Sequence, residues 1–160
     1  LNKIFNKNNS YIGIAPGAGE KDKIWPIENF IKVGEYFENK SFTLVFFLGP
    51  SEKNIKKKLM NIFPHSIMPE DIIKDFSGSE IVMGSTNFLK CALSNDSGVS
   101  HMLSTNLCPV VKLFGPKDSE KFTPKSSIIH TISASQFGSK KIENIKTEYV
   151  IKFINNLLNI

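Results

Sequence analysis

A parallel sheet layered between helices, an α/β fold, is what this sequence predicts, and three observations carry the prediction. Apolar runs of strand length (Tyr11–Ala15, Phe42–Leu48, Cys91–Ser94, Val110–Phe114 and Ile128–Ile132) alternate with stretches of helical period. Phe42–Leu48 is apolar almost throughout, as a strand covered on both faces must be. Two of the runs end in small or turn-forming residues, which places candidate ligand loops at the carboxyl ends of strands.

Taken in order, Tyr11–Ala15 runs into Pro16-Gly17-Ala18-Gly19 and then a charged stretch ending Lys23-Ile24-Trp25-Pro26. Proline suits a first helical turn, so Pro26 opens a helix over Ile27–Lys40 with Phe30, Ile31, Val33, Gly34 and Phe37 on one face. After Gly49-Pro50, Ser51 caps a lysine-rich helix reaching Asn61. Pro64 and Pro69 break the next segment, with a short helix at Asp71–Phe76 and a longer one at Glu80–Lys90. Asp96-Ser97-Gly98 opens a helix between Cys91–Ser94 and Val110–Phe114. Thr147–Leu158 closes the chain as an amphipathic helix, Thr147 its N-cap and Val150, Ile151, Ile154, Leu157 and Leu158 its apolar side.

The richest signal is Ser94-Asn95-Asp96-Ser97-Gly98-Val99-Ser100-His101 followed by Pro109–Pro116, a strand, helix, strand unit. A helix start of small residues offers main-chain N–H groups to a phosphate. Asp and Ser are equally ordinary as caps, and the two uses are compatible. In the first loop, missing Cβ bulk at Gly17 and Gly19 admits a ligand to the main chain, and Lys23 adds a mobile positive charge. Neither loop has the spacing of a dinucleotide fingerprint or a Walker loop, which disfavours an NAD-dependent dehydrogenase. His101 reads either as a packed helical residue or as a ligand contact, and Lys23 either as a solvated charge or as a phosphate contact. Trp25 reads as a packing anchor, Glu52 and Asp118 as turn or cap residues, and His65 and His130 as structural.

A length of 160 residues fits one domain, with a core about 11–158. All twenty basic residues are lysine, giving net charge +5 against fifteen acids. The lysines are scattered with no aromatic-basic pattern, so nucleic acid is not an expected partner, although the positive balance favours a polyanion. Cys91 and Cys108 have no second cysteine or histidine at metal spacing and read as buried free thiols in a reducing cytosol. With no span-length apolar stretch and no signal-peptide core, the expected location is cytoplasmic. A first residue of Leu1 rather than methionine suggests a piece of something longer.

Three stretches together resemble the C-terminal half of glycosyltransferase family nine, the heptosyltransferases of the lipopolysaccharide inner core. They are Pro16-Gly17-Ala18 through Lys23-Ile24-Trp25-Pro26, Asn95 through His101, and Leu113-Phe114-Gly115-Pro116-Lys117-Asp118, and their order and spacing match over roughly residues 11–158. The resemblance implies a Rossmann-like domain, the second half of a GT-B enzyme, with the N-terminal domain absent. It implies binding of a nucleoside diphosphate sugar such as ADP-heptose, for transfer to a lipid-linked saccharide at the inner face of the inner membrane. By motif, Gly17, Ala18 and Lys23 would surround the donor phosphates, Ser97 and Gly98 would offer main-chain donors, and Asp96 would face the sugar. His101 would line or shape the site, and Ser51 or Glu52 would contact the ribose. No metal or further cofactor is implied. The family's general base belongs to the N-terminal domain and has no counterpart here, so no catalytic residue is assigned. The alternative is a non-catalytic nucleotide or phosphosugar binding module.

Overall fold

The computed structural model describes residues 1–116 and 127–160. Five strands form one wholly parallel sheet: β1 (Ser10–Ala15), β2 (Phe42–Phe46), β3 (Leu89–Asn95), β4 (Val110–Phe114) and β5 (Ile129–Ser133), in the spatial order β2-β1-β3-β4-β5. Ile67 adds a one-residue parallel bridge to Val45 outside β2, its N–H donating to Leu44 O at 2.8 Å. The chain moves outward one way from β1 and the other way from β3, so the topological switch point lies between these two strands. The α/β, Rossmann-like expectation holds.

Among the described residues six helices surround the sheet: α1 (Ile27–Asn39), α2 (Lys53–Ile62), α3 (Pro69–Ile72), α4 (Gly78–Ser85), α5 (Gly98–Leu103) and α6 (Thr147–Leu158). Side chains alternate across β1, and that alternation makes two cores. Ile12 and Ile14 join Phe30, Val33 and Phe37 of α1, Leu59 of α2 and Val150 and Ile154 of α6. Tyr11 and Ala15 join Val82 of α4, Leu103 of α5 and Phe5 on the opposite face. The buried face of α1 is the predicted one, Phe30, Ile31, Val33, Gly34 and Phe37. Cys91 and Cys108 are buried free thiols, and burial pushes the Cys108 thiol up to about 12 and Cys91 further still.

Several boundaries differ from expectation. The helix foreseen to Lys90 stops at Ser85, because Ser85 Oγ and Thr86 Oγ1 donate to Ile81 O and Met83 O, and the chain then enters β3 at Leu89. Rather than breaking its segment, Pro69 begins a single turn, α3, which replaces the helix expected at Asp71–Phe76. Ser51 is not a helix cap: Pro50–Glu52 forms a 3-10 turn and α2 starts at Lys53. Pro26 and Lys146 occupy the cap positions of α1 and α6, so Thr147 is the first helical residue rather than the N-cap.

Candidate functional site

Strand register builds the site. Ala15 pairs with Ser94 and Asn95 with Leu113, so β1, β3 and β4 end level and their following loops leave the sheet side by side. Asn95, fully buried, ties them together. Its Nδ2 donates to Pro16 O at 2.6 Å and its Oδ1 accepts the Trp25 N–H at 3.1 Å, clamping both ends of the first loop to the end of β3. Trp25, also fully buried, donates Nε1–H to Ile145 O at 3.2 Å and packs edge-on to Phe30. The expected anchoring role fits these contacts. Gly115 closes the frame from β4: a Cβ there would stand 2.7 Å from Asp22 O and 3.1 Å from Ile142 Cβ, so only glycine lets the Lys21–Lys23 turn lie so close.

At this edge a cleft of about 300 Å³ opens between the first loop, the Pro50–Glu52 turn and the start of α5. Gly17, Ala18, Ser51, Glu52, Ser97 and Gly98 line it, six of the sequence-predicted residues brought together from three separate loops. Ala15, Phe47, Val99 and Met102 supply apolar wall. The Glu52 carboxylate reaches back across the loops, since a Cβ at Gly17 or at Gly49 would stand 2.8 Å from one of its oxygens, and Ser51 Oγ donates to it at 2.7 Å. Ser97 is the N-cap of α5, and its buried Oγ faces the Ser100 main-chain N–H in a capping box too loose to count as a hydrogen bond. The cap is closed instead by Ser100, whose Oγ donates to Ser97 O at 2.6 Å. With only six residues α5 has little macrodipole, so what this end offers is its first main-chain N–H groups rather than a summed field.

The remaining three predicted residues do not line the cleft. His101 lies exposed on α5. Lys23 and Asp96, the latter next to Ser97 in the chain, belong to an ion cluster: Lys23 Nζ lies 2.9 Å from Glu20 Oε1 and 3.6 Å from Asp96 Oδ2, while Lys112 Nζ lies 3.3 Å from Asp96 Oδ1. Burial pushes the Lys112 ammonium below the ordinary lysine range, and the charge of Asp96 pulls it back up. Lys112 and Asn95 were missed by sequence reasoning. Each had a signal, a polar side chain inside or ending an otherwise apolar buried strand. Lys117 and Asp118 lie outside the described residues. Among the described residues no three His, Cys, Asp or Glu side chains gather as metal ligands, and no helix is long and apolar enough to cross a membrane.

A doubly wound α/β domain with a small-residue cleft at its switch point defines a class that binds ligands outside the carboxyl ends of its strands. Residues 2–150 match glycosyltransferase family 9 (heptosyltransferase), and the chain belongs to that family. No curated protein matches the sequence. Among solved structures, a glycosyl transferase family 9 protein from Veillonella parvula superposes with a TM-score of 0.81 at 22% identity, over 96% of this chain and 47% of that one. E. coli ADP-heptose lps heptosyltransferase II gives 0.79 at 18% identity, over 96% and 48%. E. coli heptosyltransferase WaaC, solved with ADP-2-deoxy-2-fluoro heptose, gives 0.76 at 20%, over 92% and 43%. The chain thus spans a little under half the length of each.

Proposed function

We propose that this chain is the donor-binding half of a sugar transferase, holding a nucleoside diphosphate sugar, with ADP-heptose the first candidate, in the cleft between Gly17 and Ser97. The observation that carries it is the convergence of Gly17, Ala18, Ser51, Glu52, Ser97 and Gly98 on one cleft at the switch point of a family 9 domain. The small residues let a diphosphate approach the main chain, where the start of α5 at Ser97 and Gly98 offers N–H groups. Glu52 at the other end carries a carboxylate that can only accept, which suits sugar hydroxyls and repels phosphate. Phe47, Val99 and Met102 give a nucleoside apolar contact.

In transfer, the bond between the anomeric carbon and the β-phosphate oxygen breaks and its electron pair stays on the leaving diphosphate. Fixed N–H donors and the Lys23 charge stabilise that growing charge without reorganising. The acceptor hydroxyl forms the new glycosidic bond and its proton passes to a base supplied by an N-terminal domain outside this chain. The acceptor is a lipid-linked saccharide of the lipopolysaccharide core, met at the cytoplasmic membrane face. Calorimetric titration tests the donor site directly: ADP should bind more tightly than adenosine, and equal affinities would remove the phosphate-site assignment.

A further inference from the structure

Asn95 ends β3 with an amide that is fully buried, and a polar group in that place is costly unless both of its ends are used. Both are. Nδ2 donates to Pro16 O and Oδ1 accepts the Trp25 N–H, so one side chain grips the first loop just before Gly17 and again just after Ile24. Only an amide does this, since a carboxylate has no hydrogen to donate and leucine neither donates nor accepts. The main chain of Asn95 is pinned as well: Ser94 Oγ donates to Asn95 O at 2.8 Å, and the following N–H, of Asp96, donates to Leu113 O at 3.1 Å. Between the gripped ends, Gly17 and Gly19 carry no side chain with which to fix the loop, and a Cβ at Gly19 would meet nothing within 4 Å. Their main chain goes where the ends of the loop put it. Ser97 and Gly98, on the other wall of the cleft, follow directly after Asp96. One residue thus joins the two walls, its side chain holding the first and its main chain running into the second.

We propose that Asn95 is a positioning residue, which sets the gap between the Gly17–Gly19 main chain and the start of α5 so that a diphosphate meets N–H groups already in place on both sides. The inference rests on the phosphate site proposed above and adds the residue that preorganises it. Asn95 is sealed beneath the residues that line the cleft, so it acts through the loop rather than by touching ligand. Donors fixed before the ligand arrives need no ordering when it binds, and the affinity for the phosphates gains by that amount.

The test titrates ADP and adenosine into the chain, into Asn95→Asp and into Asn95→Leu, with a urea denaturation curve for each. Asn95→Asp keeps the acceptor for Trp25 and loses the donor for Pro16, whereas Asn95→Leu loses both. Where the variants are folded, the ratio of ADP to adenosine affinity should fall about tenfold in Asn95→Asp and at least as far in Asn95→Leu. A residue that only supported the fold would lower stability and leave that ratio alone. Hydrogen exchange of the Trp25 main-chain N–H, followed by NMR on the parent chain, needs no substitution. ADP should slow this exchange further than adenosine does at equal saturation, because the loop must leave Asn95 before that N–H exchanges and bound ADP holds the loop. A ratio unchanged in folded variants overturns this role alone, as does Trp25 exchange slowed equally by the two ligands. Should neither variant fold, the exchange measurement decides. Equal binding of ADP and adenosine by the parent chain overturns the phosphate site, and this role with it.

Discussion

Asn95 and Pro16 are 79 residues apart in sequence and joined by a buried 2.6 Å hydrogen bond where β3 ends and β1 gives way to the first loop. With its other end accepting the Trp25 N–H, the Asn95 side chain at the end of β3 supplies a tie that the main-chain bonds of the sheet do not. Asn95→Ala would leave two buried main-chain groups unpaired, each costing about 1–3 kcal/mol. The expected loss is about 2–4 kcal/mol of stability in urea denaturation. A loss under about 0.5 kcal/mol would mean that the loop is held elsewhere.

Gly115 and Gly98 separate structural from ligand-facing glycines. Alanine at Gly115 would put a methyl 2.7 Å from the Asp22 carbonyl, so the Lys21–Lys23 turn must move, at about 1–3 kcal/mol. Alanine at Gly98 meets nothing within 4 Å and should leave stability unchanged or slightly higher, since alanine favours helix. If the ligand uses the α5 main chain, Gly98→Ala nevertheless weakens ADP. Thermal melts paired with titration distinguish the two, and a stable Gly98→Ala that binds normally would move the ligand away from α5.

These two positions show what a sequence displays and what it hides. Strand and helix periods were readable because burial on both faces of the sheet forces them, and the α1 face Phe30, Ile31, Val33, Gly34 and Phe37 was read residue by residue. Loop residues at strand ends were readable because glycine and proline mark them. Hidden were contacts made through space: the Asn95 clamp and the Lys112–Asp96 pair depend on strands β1, β3 and β4 lying adjacent in register, which no local pattern encodes. The Ser85 helix end was missed for a related reason. Its serine and threonine hydroxyls compete for helix carbonyls, and pairing of β3 with β1 then takes the chain.

Lys23 is held near the cleft by two carboxylates rather than pointing freely into solvent. Lys23→Ala should weaken ADP by about 1–2 kcal/mol, the scale of a charge-assisted contact that is partly exposed, and leave adenosine unaffected. Calorimetry in which both ligands lose equally would assign Lys23 to loop structure instead.

Stability should depend on pH through His130, which sits in edge strand β5 with its ring 5.8 Å from that of Phe153. Burial lowers its affinity for a proton below the ordinary value of 6.5. Between the lowered folded value and 6.5 the unfolded chain binds more protons, so stability falls as pH falls through that window and is regained above it. His130→Gln should flatten the slope of urea stability between neutral pH and the folded value. An unchanged slope would show that other groups set it.

The last expectation follows from the division of labour in the proposed reaction. Transfer needs a donor site, an acceptor site and a base, and the cleft described above accounts for the first. Residues 1–160 by themselves should therefore bind donor and show no sugar transfer above background, while the same residues joined to a family 9 N-terminal domain should turn over. In that longer protein Asp96→Ala should impair transfer and also lower stability, because Lys23 keeps Glu20 as an ion partner whereas the buried Lys112 ammonium loses the carboxylate 3.3 Å away. Circular dichroism and a transfer assay on the paired proteins check both halves. Turnover by residues 1–160 alone, with a nucleotide-heptose and a lipid-linked acceptor, would place a base within this chain, and the carboxylates of Glu52 and Asp96 would be the first to test.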